Sequence, residues 1–391
     1  MRRFVVLACL LLPSAIACGG GLPVDDADGD APDVSAQDGT VEDGTIADTG
    51  SDQTVDDVVT ESGDDATADA TGDSALDAMG DDASDASTLD GPFDAGDGGI
   101  VVLAAALNNP FRLVVDSDNV YWTNRDGGSV MQCAVGGCGG TPIVLAPSES
   151  TPTGIAIDSS HVYWANYSGG GGTIRSCPIG GGDGGSVKTI ASQSVIAPVD
   201  VAVEGTNVYF TDQSADKVQV CPSTGCASTP PVIASSQGGA NGIAADTATL
   251  YWAATINNTI SDIALPGDAG TPKVIQTNAG AAWIAVNSGY VYWATYNSGA
   301  VFRCSASNCG NTLSLLASQQ TGATGQLATD GVNAYWTIGG ASGSVMKCAV
   351  GGCNGTPTVL ASSLSYPVGL AVDSTSVYVA LDTKVIKLTP K

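Results

Sequence analysis

One aromatic motif recurs seven times between residues 100 and 391. Its core is a tyrosine that is usually followed by tryptophan, and the copies are centred on Tyr121, Tyr163, Tyr209, Tyr251, Tyr292, Tyr335 and Tyr378. Successive tyrosines lie 42, 46, 42, 41, 43 and 43 residues apart. Five residues before each tyrosine stands a polar turn residue: Asp116, Asp158, Glu204, Asp246, Asn287, Asp330 or Asp373. Such near-equal periods indicate that the chain repeats one structural unit.

Each period contains four short runs with β-strand character. In the second copy these runs are 154–157, 162–165, 173–177 and 187–191, and turn-forming residues separate them. A four-stranded unit of about 40 to 45 residues is typical of a β-propeller blade. Helical repeats are disfavoured because the chain contains 51 glycines. The sequence therefore predicts an all-β fold, a seven-bladed β-propeller with four-stranded blades over residues 100–391.

The two ends of the repeat region complement each other. The last copy stops after its third strand, 385–388, whereas an unassigned apolar run at 100–107 precedes the first copy. That run is similar to fourth strands such as 142–146. If it pairs with the last copy, the ring has no open strand edge between its ends. We therefore predict that the N-terminal strand completes the last blade.

The repeat resembles that of a known family. The segments Tyr121-Trp122-Thr123-Asn124 and Tyr209-Phe210-Thr211-Asp212, each after a Pro-x-Gly-Ile-Ala-Val-Asp-like strand, resemble the YWTD repeats of low-density lipoprotein receptors. The resemblance covers residues 100–391 and extends to bacterial propeller domains of unknown function. It implies the propeller fold, although the receptor propellers have six blades. Ligand specificity does not follow from it, because a fold does not determine a function.

Eight of the 11 cysteines form four Cys-x4-Cys pairs between third and fourth strands: Cys133 and Cys138, Cys221 and Cys226, Cys304 and Cys309, and Cys348 and Cys353. A disulfide at this place closes a hairpin tip, as expected in an exported protein. Structural zinc is the alternative, but it requires two close pairs to be brought together. We predict four disulfides. Cys177 lacks a partner because Gly182 stands at the matching position, which leaves a buried thiol or an intermolecular link.

The first 18 residues have the pattern of a secretory signal. Arg2 and Arg3 precede an apolar stretch at 4–12, and the small-residue segment Ser14-Ala15-Ile16-Ala17 leads to Cys18. This arrangement resembles a bacterial lipoprotein signal. The resemblance implies that Cys18 becomes the lipidated first residue of the mature protein and anchors it to a membrane. The alternative is an ordinary secreted protein with a chance cysteine near its cleavage site.

Residues 19–99 consist mainly of Asp, Ala, Gly, Thr and Ser. The first 99 residues hold 24 of the 40 acidic side chains but only two of the 13 basic ones. Too little apolar surface is present to offset the entropy of ordering the chain, so we expect a disordered acidic linker. Calcium binding is the alternative, but the spacing and the late glutamate of a calcium loop are missing. After residue 99 the charge is nearly balanced, and no basic patch predicts nucleic-acid binding.

The repeats diverge at one position, nine residues before each tyrosine. Three copies have Gly there, whereas the others have Arg112, Asp200, Trp283 and Gln326. We expect these side chains at one mouth of the channel. Loops after the second strands should open on the same face and contribute Asn124, Arg125, Asn166, Tyr167, Asp212 and Tyr296. Such a mixture suits a small polar ligand or a peptide, unless Arg112 and Asp200 merely pair and fill the channel.

The catalytic inventory is thin. The single histidine, His161, lies in a turn, and the chain has no Gly-x-Ser-x-Gly elbow. Lactonases of the gluconolactonase type hold a divalent metal with Glu, Asn and Asp, but Glu149 and Glu204 are the only glutamates after residue 99. Neither occupies a first-strand channel position. We therefore predict no cofactor and favour a role other than catalysis.

The sequence favours an exported, lipid-anchored binding scaffold of a bacterial cell envelope, at the outer membrane or the cell surface. The propeller would present a rigid surface to a protein, peptide or glycan at the end of an acidic tether. Two alternatives stay open. One is a metal-dependent, lactonase-like hydrolase at the channel mouth, and the other is a structural protein of the envelope.

Overall fold

The computed structural model describes residues 99–181, 186–266, 271–295, 298–320 and 324–391, with residue 324 described by its backbone only. The predicted signal segment 1–18, Cys18 and the acidic linker up to residue 98 lie outside these residues. Among the described residues, no helix has the length and apolar character needed to cross a membrane.

The described chain forms seven antiparallel sheets of four strands each, one for each predicted blade. The innermost strands are Pro110–Val115, Pro152–Ile157, Pro198–Glu204, Ala240–Ala245, Ala281–Asn287, Thr324–Thr329 and Leu370–Val372. The second strands are Asn119–Asn124, His161–Asn166, Asn207–Asp212, Thr249–Ala254, Tyr290–Thr295, Asn333–Ile338 and Val377–Ala380. We number the blades 1 to 7 in this order. The prediction of a seven-bladed propeller is confirmed.

The outer half of each blade follows the same order. The third strands are Ser129–Ala134, Thr173–Pro178, Lys217–Pro222, Thr259–Ala264, Val301–Ser305, Gly343–Ala349 and Val385–Thr389. The fourth strands of blades 1 to 6 are Ile143–Ala146, Lys188–Ala191, Val232–Ala234, Lys273–Thr277, Ser314–Ala317 and Thr358–Leu364. A 3-10 turn, Ala306–Asn308, and a short α-helix, Cys309–Thr312, are the helical elements of the described part, and the sequence did not predict them.

The N-terminal strand closes the ring. Gly99–Ala104, the closing strand, pairs antiparallel with the third strand of blade 7, from Gly99 opposite Thr389 to Ala104 opposite Val385. It takes the place of the fourth strand in that blade. Leu103 is buried in the hydrophobic cluster between blades 7 and 1. The predicted closure is therefore confirmed, and the first described strand holds the last blade in place.

The core consists of seven hydrophobic clusters, one between each pair of neighbouring blades. Successive residues of a strand point to opposite faces of its sheet. In blade 1, Tyr121 therefore packs toward blade 2, against Trp164. The next residue, Trp122, packs toward blade 7, against Tyr378. The aromatic pair of each repeat thus joins a blade to both of its neighbours, which explains why the pair recurs.

A hydrogen bond explains the polar residue five positions before the tyrosine. The Tyr121 hydroxyl donates to Asp116 Oδ2 at 2.8 Å, and Asp116 Oδ1 accepts the backbone N–H groups of Asp118 and Asn119. The same tyrosine–aspartate bond occurs in blades 2, 4, 6 and 7. Burial, together with the hydrogen bond to Asp116, raises the pKa of Tyr121. The aspartate therefore shapes the turn and also satisfies a hydroxyl next to the core.

The four predicted disulfides are present, with Cα–Cα distances between 4.8 and 5.4 Å. Their loops rest on the fourth strand of the preceding blade. Cys138 Sγ lies 3.2 Å from the Leu103 carbonyl oxygen, and Cys353 Sγ lies 3.3 Å from that of Leu316. Each disulfide loop therefore also covers the edge between two blades. Cys177 is a buried free thiol, and burial, with a contribution from Glu149, raises its pKa to about 11.

Candidate functional site

A bulge at the start of the innermost strands sets the channel mouth. In blade 1, Pro110 pairs with Asn124 and Leu113 pairs with Trp122, so the register shifts between these pairs. Blades 2 to 6 show the same shift. The irregular segment includes Arg112 and its counterparts. Bulges redirect side chains, and this one lies where the repeats diverge.

Threonine hydroxyls fasten neighbouring blades at this mouth. The Thr123 hydroxyl donates to the Thr153 carbonyl of blade 2 at 2.8 Å, and it accepts the backbone N–H of Arg112. Thr211 and Thr337 make the same bond to the next blade, to the carbonyls of Asn241 and Val368. The backbone around the mouth is therefore fixed by direct bonds between blades.

The glycines at the divergent position are required by close packing. A Cβ on Gly154 would lie 2.5 Å from Asp200 Cα, and a Cβ on Gly242 would lie 2.8 Å from Trp283 Cα. A Cβ on Gly369 would lie 2.3 Å from the Phe111 carbonyl oxygen. The missing side chain of each glycine thus lets the innermost strand of the next blade pack closely against it. Arg112, Asp200 and Trp283 each follow such a glycine around the ring, so the glycines make room for them.

Arg112 is buried at the centre of this arrangement. Its guanidinium carbon lies 3.3 Å from the centroid of the Trp283 ring, and its Nη2 lies 3.9 Å from Asp200 Oδ2. Blades 1, 3 and 5 therefore bring these three side chains together. Burial lowers the pKa of Arg112 to about 10, while the charge of Asp200 opposes that shift. The positive charge of the buried guanidinium is therefore only partly balanced by Asp200.

Asp200 and Gln326 perform a second task, which is to bond to the next blade. Asp200 Oδ2 accepts the backbone N–H of Ile243 at 3.2 Å, and Gln326 Oε1 accepts that of Leu370 at 3.0 Å. Asp200 Oδ1 accepts the N–H of Val201. Burial raises the pKa of Asp200, whereas Arg112 and these N–H groups oppose the rise. Gln326 thus has a structural bond, and no hydrogen bond or ion pair joins it to Arg112 among the described residues.

Two further residues extend the cluster toward the rim. Phe111 meets the Trp283 ring edge-on, with ring centroids 6.5 Å apart. The Arg125 guanidinium carbon lies 5.0 Å from the Phe111 centroid. Burial lowers the pKa of Arg125, and the nearby Asp126 and Tyr167 oppose that effect. Sequence comparison missed Phe111, because it precedes the divergent position by one residue, although it is the only aromatic residue at its place in the repeats.

Three of the other predicted mouth residues form hydrogen bonds within or next to their own blades. Asn124 and Asn166 are buried and bond within the loop region of their blades, to Ser129 and to Glu149 and Thr173 respectively. Asp212 is fully buried and accepts backbone N–H groups of residues 196, 197 and 215. The side chains of Asn124, Asn166 and Asp212 are buried, so their polar atoms bond to the adjoining segments of the chain and hold them in place. Tyr296 lies outside the described residues.

No metal centre is apparent among the described residues, since no three His, Cys, Asp or Glu side chains come together. His161 lies at the start of a second strand, the end opposite the mouth, with Asp158 and Ser160 beside it. Glu149 is buried, and its oxygens accept from Trp164, Asn166 and Arg175. Glu149 is therefore occupied by hydrogen-bond donors of blade 2.

Comparison with known proteins adds information on the fold. The sequence matches no protein-family model and no curated protein. Virginiamycin B lyase from Staphylococcus aureus aligns with a TM-score of 0.61 at 15% identity, over 75% of this chain and 100% of the lyase chain. A catalytically inactive variant of that lyase with quinupristin gives 0.60 at 17% identity, over 76% and 100% of the two chains. The WD40 repeats of RRP9 give 0.59 at 13% identity, over 75% and 97%. At these identities the similarity shows the fold alone, and this chain is therefore similar to β-propellers of diverse function.

Proposed function

We propose that this chain is an exported, lipid-anchored binding scaffold of a bacterial cell envelope, at the outer membrane or the cell surface. Residues 1–18 would direct export, 19–99 would form the tether, and 100–391 would form the propeller that binds. The four disulfides support export, because such bonds persist in oxidising compartments. A propeller also supports a binding role, since it holds loops on a rigid frame. The partner would be a protein, a peptide or a glycan.

The observation that carries the proposal is the buried contact between Arg112, Asp200 and Trp283 at the mouth. Four of the seven repeats have a residue other than glycine at this position, and three of these side chains come together. A buried ion pair is weak evidence for stability, because the desolvation of two charges offsets their attraction. Ligand sites typically combine aromatic side chains with a few charged groups that fix the orientation of the ligand, and this cluster combines the same residue types. We therefore assign binding to this mouth.

The YWTD-like family assignment is part of the proposal. The tyrosine of the motif bonds to the aspartate at the turn, and the threonine of the motif bonds to the next blade. Two residues of the YWTD-like motif therefore have structural roles. The enzymatic alternative has less support. The lyase that shares the fold has an inactive variant in which a histidine is replaced by alanine. The one histidine of this chain, His161, is half-buried at the start of a second strand, at the end away from the mouth. A structural envelope role differs in that it would not require the mouth.

Lipidation is tested by metabolic labelling with a fatty-acid probe in a bacterial host. We expect wild type and Cys177→Ala to be labelled equally, and Cys18→Ala to lose the label. The reason is that lipidation would need the cysteine at the mature N-terminus, whereas Cys177 is buried in the propeller. Equal labelling of Cys18→Ala would end the lipid-anchor proposal.

Binding at the mouth is tested by affinity capture from envelope extract with the full chain. We expect Trp283→Ala to lose the captured partner, because the Trp283 indole lies against the Arg112 guanidinium and holds it in position. Tyr290→Ala is the matched control, since it removes an aromatic ring that stacks with Arg303 at the opposite end of blade 5. Capture that is equal for all three proteins would argue against the mouth and favour the structural role.

A further inference from the structure

The guanidinium of Arg112 has unused hydrogen-bond donors. Arginine carries five N–H donors, and within the described chain none of them on Arg112 has an acceptor at hydrogen-bond distance. Its Nε is buried without a partner, and its Nη2 is 3.9 Å from the nearest Asp200 oxygen. Arg112 as a whole is only 4% exposed. Buried donors are normally satisfied, so the buried Nε–H of Arg112 indicates a missing acceptor.

Asp200 does not supply that acceptor. One of its carboxylate oxygens accepts the N–H of Val201, and the other accepts the N–H of Ile243. These bonds hold the carboxylate to the backbone of blades 3 and 4. The distance to Arg112 therefore reflects a carboxylate fixed by other partners, and it leaves the charge of Arg112 only partly balanced.

The aromatic rings orient the guanidinium. With its carbon 3.3 Å from the Trp283 centroid, the Arg112 group is stacked on the indole. A stacked guanidinium points its N–H groups along its own plane, away from the ring. Phe111 supports the indole from the side, with an interplanar angle of 74°. The fork is thus held in one orientation before any ligand arrives.

A second cation stands close by. The guanidinium carbons of Arg112 and Arg125 lie 5.9 and 5.0 Å from the same Phe111 centroid. Asp126, the acid next to Arg125, is exposed and accepts from Asn109 Nδ2. Two guanidinium groups around one ring, with one buried carboxylate, favour a ligand of single negative charge. A dianion such as phosphate would be disfavoured by Asp200, because like charges repel strongly in a buried site.

We propose that the channel mouth binds a carboxylate group, whose two oxygens accept from the Arg112 fork while Arg125 provides the second positive charge. Paired N–H donors match the geometry of a carboxylate. The inference rests on the proposed function, since it names the ligand chemistry of the same mouth. Two sources share that chemistry: a free small carboxylic acid and the C-terminal carboxylate of a peptide.

Isothermal titration calorimetry on the full chain tests the proposal. The probes are benzoate, a tripeptide with a free C-terminus, the same tripeptide amidated, and inorganic phosphate. We expect benzoate or the free tripeptide to bind, and phosphate and the amidated tripeptide to bind at least about tenfold more weakly. Benzoate binding alone would identify a small acid as the source, and preference for the free tripeptide would identify a peptide terminus.

Three variants make the test specific. Arg112→Lys keeps the charge but loses the fork, so carboxylate affinity should fall about tenfold. Asp200→Asn removes the competing charge, so affinity should rise about tenfold. Arg303→Lys is the control, because Arg303 also lies over an aromatic ring, Tyr290, but at the other end of its blade. Its affinity should equal that of wild type.

Absence of carboxylate binding to both wild type and Asp200→Asn would overturn the inference. Equal affinity of Arg112→Lys and wild type, or tighter binding of phosphate than of benzoate and the free tripeptide, would do the same. If Trp283→Ala still abolishes partner capture in that case, the proposed function stands and only the ligand chemistry is wrong. If Trp283→Ala also captures normally, both proposals fail.

Discussion

Leu103→Ala is expected to lower the free energy of unfolding by about 2 to 5 kcal/mol, the range for truncating a buried leucine. Leu103 lies in the closing strand, is 1% exposed, and packs in the cluster between blades 7 and 1. The Cys133–Cys138 loop covers its carbonyl, and Lys387 of blade 7 donates to the Val135 carbonyl in the same loop. One side chain therefore reports on the junction where the ring closes. Chemical denaturation provides the measurement.

The matched control is Val101→Ala, two residues earlier in the same strand. Val101 is 48% exposed, so its loss should change the free energy of unfolding by no more than about 0.5 kcal/mol. Deleting residues 100–107 should have a larger effect, because it removes the whole strand and exposes the edge of Val385–Thr389. Equal and small effects of Leu103→Ala and Val101→Ala would show that closure contributes little to stability.

Asp200→Ala should destabilise the protein by about 3 to 5 kcal/mol, because it leaves Arg112 charged, buried and without its carboxylate. The Arg112 and Asp200 side chains are 5% and 14% exposed, so solvent screens neither strongly. Asp118→Asn, at an exposed turn acid, should change stability by no more than about 0.5 kcal/mol. Urea unfolding at neutral pH compares them, and a loss for Asp200→Ala as small as that of the control would show that Asp200 does not compensate the buried charge of Arg112.

The stability of Arg112→Met should depend on pH differently from that of wild type. Burial already raises the pKa of Asp200, and the loss of the opposing arginine charge raises it further. The folded state then binds a proton before the unfolded state does. Relative to wild type at the same pH, the stability of Arg112→Met should therefore rise as the pH falls from 7 toward the ordinary carboxyl range near about 4. A difference in stability from wild type that stays constant over that interval would show that Asp200 is ionised at no cost.

The sequence predicted the scaffold well because the scaffold repeats. The spacing of Tyr121 and its counterparts marks one buried contact per blade, and the same clusters appear between all neighbouring blades. The missing fourth strand of the last repeat predicted the closing strand, and the common position of the cysteine pairs predicted four staples. Because one local pattern recurs seven times, the fold could be predicted without information on contacts between distant residues.

The site was predicted only in part, because it depends on contacts between blades. The divergent position identified Arg112, Asp200 and Trp283, but no spacing shows that they touch across the channel. Asn124 and Asp212 are the last residues of their strands, a position that ligand-binding residues often occupy, yet their side chains bond to backbone and neighbouring side chains inside the fold. Inward or outward direction at a strand end depends on the loop that follows. That information is not contained in the repeat.

The free energy of unfolding of the double variant Arg112→Met/Asp200→Leu tests most directly whether the mouth serves binding and not stability. Buried ion pairs replaced by apolar residues of similar volume often leave stability unchanged or raise it by about 1 to 4 kcal/mol. We predict that the double variant unfolds with a free energy equal to or above that of wild type, and that it no longer binds the carboxylate or the captured partner. A double variant that is less stable than wild type by as much as Asp200→Ala would show instead that the pair exists to hold the ring together.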